Sequence, residues 1–357
     1  MAENLMILAG RTAYHHIRKN GLSPSDIQLV FGASGAAKWL VLYGLDSVLY
    51  GQWFKNRTDP LHLFGTSVGA WKFAAAAQDD PQAAFDRLKQ AYIHLKYTGR
   101  IRATEVSRES RKMLDTFLSS SAVDHILSHP VLRIGYSAVR CKSLLASKIA
   151  ALQALGMWSA FELNFLSRKL QKFYFERTFF HDPRYDTDLM DMTDFPTTRI
   201  PLDARNCSKS MLATASLPVI MKGVTQIPGA PKGLYRDGGL LDYHPVFPLN
   251  PGKTGFILYP HFYAHITPGW FDKRLSSRRA AGEMLDRIIL LAPSPSFVAQ
   301  LPFGRIPDRQ DFIRLRGKDD QRMQAWEKAA GMSRLLGEEF MDAVKNGCIS
   351  DRIQRIR

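Results

Sequence analysis

The chain has 357 residues, 45% of them apolar and 23% charged, which excludes a disordered or fibrous protein and allows one large folded unit or two modest ones. Lys and Arg outnumber Asp and Glu by 48 to 33, a formal net charge of +15 that suits nucleic acid, anionic membrane or an acidic partner. No nucleic-acid recognition motif accompanies the charge, so no nucleic acid is expected, and no run of about 18 apolar residues exists to span a bilayer.

Along the chain, the start (Met1 and Ala2, then an acid at Glu3 before a short apolar stretch) lacks the basic flank of a secretory signal. Residues 27–31 form a short apolar run that predicts a buried strand. The small-residue turn Gly32-Ala33-Ser34-Gly35-Ala36-Ala37 follows, then a helix predicted from about Lys38 to Leu49. A second apolar run, Leu61 to Phe64, leads through Gly65–Gly69 into Ala70–Ala77, rich in helix formers. Strand, tight turn and helix thus occur twice, which predicts an α/β fold with a central, mostly parallel sheet flanked by helices on both faces.

Residues 80 to about 180 read as mostly helical, interrupted by a strand candidate at Val131–Tyr136. Later strands are expected at 255–259 and 287–291, and a last long helix from about Asp319 to Lys345. The five aspartates Asp182, Asp186, Asp188, Asp191 and Asp194 read as turn and cap residues. With His15-His16 they lack EF-hand or HExxH spacing, so no metal and no cofactor is expected. The prolines of 293–307 predict a loop. No linker separates domains. A core over 27–250, with a helical insertion at about 80–180, is expected to be completed by 251–357.

Cys141, Cys207 and Cys348 are odd in number and far apart, which fits a reducing, cytoplasmic compartment. The basic clusters (Arg108, Arg111 and Lys112; Lys273, Arg274, Arg278 and Arg279; Arg352, Arg355 and Arg357) read as solvated faces or as footing for peripheral contact with an anionic membrane.

Two segments carry chemistry. Gly65-Thr66-Ser67-Val68-Gly69 matches G-x-S-x-G, the spacing that lets a serine project from a sharp strand-to-helix turn, with glycines where side chains would collide. The helix that follows aims N–H groups at developing negative charge. Tyr235-Arg236-Asp237-Gly238-Gly239 ends a short strand on an aspartate with little steric cover, or forms an Asp-Gly hairpin turn.

Together these segments resemble the patatin-like phospholipases over about residues 27 to 250. Ser34-Gly35-Ala36-Ala37-Lys38, the elbow, and Asp237-Gly238-Gly239 stand in that family's order, and Ala213-Thr214-Ala215-Ser216-Leu217-Pro218 resembles the helix end that precedes its aspartate. The resemblance implies a three-layer sandwich and a lipid acyl hydrolase of phospholipase A or lysophospholipase type. It implies a Ser67–Asp237 dyad, with Ser67 as nucleophile, Asp237 as base and an acyl-enzyme intermediate. It also implies an oxyanion hole from the N–H groups of Gly35 and Ala36, to which the general elbow geometry adds Val68. Alanine and serine replace most of the family's first-turn glycines, and alanine resists positive φ. A free aspartate is too acidic for a base at neutral pH, so burial is expected to raise Asp237.

Three other readings fit the residues. A Ser–His–Asp triad would use His244, His261 or His265. A phosphate-binding loop at Gly32–Trp39 lacks its second glycine and has Trp39 in place of the Mg²⁺-binding hydroxyl. A non-catalytic lipid-binding relative keeps the same residues. The partner expected is a lipid or fatty-acyl ester. Met157, Trp158, Phe161, Phe165, Phe173, Tyr174 and Phe175 read first as ordinary helix core and second as candidates for an acyl channel. Phe297 and Phe303 are candidates for a lid or membrane-facing rim.

Overall fold

A computed structural model describes residues 3–97, 102–147 and 149–356. Met1, Ala2 and Arg357, named above, lie outside the described residues.

Ten strands form one mixed sheet: β1 Leu5–Ala9, β2 Ile27–Gly32, β3 Leu61–Gly65, β4 Leu132–Cys141, β5 Phe175–His181, β6 Thr197–Pro201, β7 Tyr235–Asp237, β8 Phe256–Pro260, β9 Ile288–Pro293 and β10 Gln354–Arg355. Their order is β10-β1-β9-β8-β2-β3-β4-β5-β6, with β7 paired beside β4. The central run β9-β8-β2-β3-β4 is parallel throughout. Among the strands of the described residues, antiparallel pairing joins β1 with β9 and β4 with β5 and β7. Every residue of β3, β8 and β9 is buried, so helices and loops cover both faces of the sheet.

The helices are α1 Arg11–Asn20, α2 Tyr43–Val48, α3 Val68–Ala76, α4 Pro81–Ile93, α5 Ala103–Phe117, α6 Ser120–Ser128, α7 Ala150–Leu166, α8 Cys207–Thr214, α9 Pro295–Gln300, α10 Asp311–Arg314, α11 Asp319–Met332, α12 Arg334–Lys345 and α13 Ile349–Arg352. Helix α3 is apolar around its whole circumference except Lys72, and all of it is buried. Lys72 is held by Asp46 at 2.9 Å, and Asp46 also accepts from the Trp39 indole at 2.8 Å. That buried pair pins α3 to the helical stretch after the first turn.

Several expectations are corrected. The helix predicted from Lys38 to Leu49 is a 3₁₀ stretch over Ala36–Leu42, then α2, then a wide turn over Leu49–Trp53. The predicted helix from Asp319 to Lys345 is two helices, broken at Ser333, whose hydroxyl accepts from Gly44 N–H at 2.8 Å. Residues 80–180, expected as a helical insertion with one strand, supply both β4 and β5. The proline stretch 293–307 is less of a loop than expected. Pro295 stands at the first position of α9, where its missing N–H costs nothing, and Ser294 caps the helix. The aspartates of 182–194 do serve turns: Asp182, Asp186 and Asp191 accept from the backbone of Arg184, Asp188 and Thr193.

Candidate active site

Register brings the two distant segments together. In the parallel pairing, Gly32 stands beside Gly65, and Gly65 beside Tyr136. In the antiparallel pairing of β4 with β7, Asp237 stands beside Ala138. Ser67 lies two residues past Gly65, and Ala138 two past Tyr136, so Ser67 and Asp237 arrive at one level. That level lies beyond the carboxyl ends of the parallel strands, where open α/β sheets carry their ligand sites.

The elbow is tight. Ser67 has φ 54° and ψ −125°, a strained conformation for a residue with a side chain, of the kind that clusters at functional sites. A Cβ on Gly65 would come within 2.5 Å of Gly69 C, and one on Gly69 within 2.1 Å of Gly32 O. The two glycines are therefore required by the approach of strand and helix.

Around this elbow the polar groups are satisfied one by one. Ser67 N–H donates to Thr214 Oγ1 at 3.0 Å, and Thr214 Oγ1 donates to Ser137 O at 2.6 Å. Asp237 N–H donates to Ser216 O at 3.0 Å. The helix end Ala213–Pro218 thus holds both segments at once. Thr66 Oγ1 donates to Asp242 O at 2.8 Å and lies 2.9 Å from Ser34 Oγ, tying the first turn to the elbow. Asp242 itself accepts from Arg177 at 2.7 and 2.8 Å and from Ser137 Oγ at 2.9 Å. Thr66, Asp242, Arg177 and Ser137 were not among the sequence candidates. Buried and polar, they have no motif spacing that marks them.

The decisive contact is between side chains. Ser67 Oγ donates to Asp237 Oδ2 at 2.9 Å. Ser67 is 9% exposed and Asp237 3%. Asp237 Oδ1 accepts from Gly239 N–H at 2.7 Å, and no cation hydrogen-bonds the carboxylate among the described residues. Burial pushes Asp237 up to about 6, against the opposing pull of Gly239 N–H, Ser67 and the more distant Arg309 and Lys273.

Comparison with known proteins gives no family. No protein-family profile matches the chain, and no curated protein matches it either. Several solved chains are similar in outline. One is VipD from Legionella pneumophila, at 12% identity and a TM-score of 0.29 over 92% of this chain and 70% of that one. Another is human GIVD cytosolic phospholipase A2, at 10% identity and a TM-score of 0.33 over 99% of this chain and 66% of that one. Likeness at these TM-scores says nothing about chemistry, which has to come from the residues themselves.

A cleft bordered by Ser34, Gly35, Ala36, Asp237, Trp270 and Lys273 opens over Ser67. Ala36 has φ 49°, so alanine does take the left-handed conformation that the sequence made doubtful. The first turn-closing bond runs from Lys38 N–H to Gly35 O, downstream of the amides of Gly35 and Ala36. Val68 opens α3, so its N–H has no partner within the helix.

The cleft continues into a cavity of about 480 Å³, with Ala36, Ser67, Leu217 and Arg309 shared between them. Its walls are mainly apolar and come from α3 to α5, from residues 215–221 and from 309–326, among them Trp71, Tyr92, Met113 and Phe312. None of Met157, Trp158, Phe161, Phe165, Phe173, Tyr174 or Phe175 borders it. Tyr174 and Phe175 are core of a second apolar cluster, Met157 and Phe161 pack against that cluster, and Trp158, Phe165 and Phe173 face outward. Phe297 is buried in the main core and Phe303 is half exposed, and neither borders the cleft or the cavity.

The histidines take other duties. His244 Nδ1 accepts from Thr267 N–H and His261 Nδ1 from Tyr263 N–H, each at 2.9 Å, while His265 stacks on Tyr263. Burial lowers all three, His261 to about 3. Among the described residues none hydrogen-bonds Ser67 or Asp237. Lys38 pairs with Asp308, and the Trp39 ring is turned into the core, so the first turn lacks the free lysine of a phosphate loop.

Proposed function

We propose that this protein is a lipid acyl hydrolase, of patatin-like kind, in which Ser67 and Asp237 form a two-residue catalytic unit. The observation that carries the reading is the 2.9 Å hydrogen bond from Ser67 Oγ to a buried carboxylate raised to about 6. A carboxylate of that basicity is ionised at neutral pH yet is a stronger base than a free aspartate.

In the reaction, Asp237 Oδ2 takes the hydroxyl proton as Ser67 Oγ bonds to the acyl carbonyl carbon. The carbonyl oxygen becomes an oxyanion among the N–H groups of Gly35, Ala36 and Val68. Collapse breaks the ester C–O bond, and the leaving alcohol takes the proton from Asp237. Water then repeats the sequence on the acyl-enzyme, giving its proton to Asp237 and releasing the fatty acid and free Ser67.

The apolar cavity supports a long acyl chain as the bound group. Arg309 and Lys273 border the cleft without an ion-pair partner among the described residues, which suits an ester with an anionic neighbour such as a phospholipid phosphate. Lys273 rests over the rings of Tyr243 and Trp270, and its ammonium lies below the ordinary lysine value because its charged end is desolvated and faces Lys38 and Arg309.

A panel of esters from short to long acyl chain, on phospholipid and neutral glycerol backbones, tests this with Ser67→Ala as control. Turnover that rises with chain length and vanishes in the control is expected. Turnover that survives Ser67→Ala would remove the proposal.

A further inference from the structure

Helix α7 is unlike the other long helices of the fold. Its sequence, AALQALGMWSAFELNFL, has a single charged residue, Glu162. Helices apolar on all sides are normally buried. Here only Gly156, Ala160 and Asn164, on one stripe, are buried. The opposite face shows Leu152, Leu155, Trp158, Phe165 and Leu166 to solvent, with Trp158 62% and Leu166 75% exposed. Ile149 precedes the helix and Phe173 follows it, both also exposed. Glu162 stands on the same exposed face and is its one charge, and an otherwise apolar face of this kind marks a surface that something covers.

The surroundings say what. Lys169 and Lys172 lie on the turn that follows α7, and Arg274 on the turn Trp270–Arg274 that packs against it. All three are exposed and have no ion-pair partner among the described residues. Cations beside an apolar face carrying a tryptophan suit the boundary between anionic headgroups and acyl chains. A second copy of the chain fits poorly. A two-fold contact through α7 would bring the same cations of two strongly basic chains together.

We infer that the exposed face of α7, with Lys169, Lys172 and Arg274, is a docking surface for an anionic lipid bilayer. The face is coupled to the cleft. Asn164 of α7 donates to buried Asp272 at 2.8 Å, and the same turn carries Trp270 and Lys273 to the cleft mouth. The helix that carries the face is thus tied, through its buried side, to the turn that borders the cleft. The inference stands apart from the proposed chemistry, since binding needs no reaction.

Flotation of the full-length Ser67→Ala protein with vesicles tests it free of hydrolysis. Vesicles of equal parts phosphatidylcholine and phosphatidylglycerol are expected to carry the protein up, and pure phosphatidylcholine vesicles far less. Trp158→Asp with Leu166→Asp, both at exposed positions, is expected to weaken binding by at least about tenfold, and Lys169→Glu with Lys172→Glu by a similar factor that shrinks in high salt. Circular dichroism checks that both pairs stay folded. Equal binding by parent and Trp158→Asp/Leu166→Asp protein, or no preference for the anionic vesicle, would overturn the inference. So would a parent dimer that the same substitutions turn into a monomer.

Discussion

Asp237 and Asp242 share one turn of the chain, and both are buried. Their surroundings differ in one respect. Asp242 receives a bidentate grip from Arg177, itself fully buried, and its backbone oxygen anchors Thr66 below the elbow. Asp237 receives a backbone N–H and a serine hydroxyl, with no cation in hydrogen-bonding reach among the described residues. A paired carboxylate builds a rigid support, whereas an unpaired one stays basic. The fold uses the first to hold the second in position.

The largest effect expected from breaking this contrast is on turnover. Ser67→Ala is expected to lower kcat on the best ester by roughly 10⁴-fold or more with the fold intact, as steady-state kinetics and circular dichroism would register. Arg177→Met leaves Asp242 buried and unpaired. It is expected to cost about 3–5 kcal/mol of stability, read by urea unfolding, and a smaller cost would mean that Asp242 finds water or another donor.

Asp237→Asn sharpens the contrast from the other side. Because folding raises this carboxyl from 3.8 to about 6, the folded state holds its proton over that interval. Its contribution is most favourable below about pH 4 and is lost as pH rises through about 6. The asparagine variant escapes that loss. It is expected to match the parent near pH 4 and exceed it by up to about 3 kcal/mol at pH 8. A variant less stable than the parent at pH 8 would contradict this assignment. The smallest effect is expected from Thr214→Val, which strips the acceptor from Ser67 N–H and leaves that donor buried. A loss at the low end of about 1–3 kcal/mol is expected in thermal unfolding, with reduced turnover.

What the sequence made legible follows from local rules. Strands β2 and β3 are unbroken apolar runs before small-residue turns, so they and the elbow can be read directly. Strand β4 runs to Cys141, well past the apolar segment, because Arg133, Ser137 and Arg140 find partners in the fold. Strand β5 hides Arg177, a residue that looks solvent-facing until Asp242 and Asp194 arrive from distant turns. The break at Ser333 is invisible because it answers to Gly44 far away. The acyl-channel reading failed for a related reason. Apolar density marks both α7 and the true cavity walls, and only packing separates an apolar face turned outward from one turned in.

The most direct test of the account is the rate at which a fluorophosphonate labels Ser67, followed against pH in the parent and in Asp237→Asn. The parent rate is predicted to climb through a midpoint near pH 6, and the variant to label at least about 10³-fold more slowly with that midpoint gone. Labelling of Asp237→Asn at the parent rate would contradict the claim that the carboxylate 2.9 Å from Ser67 Oγ activates it.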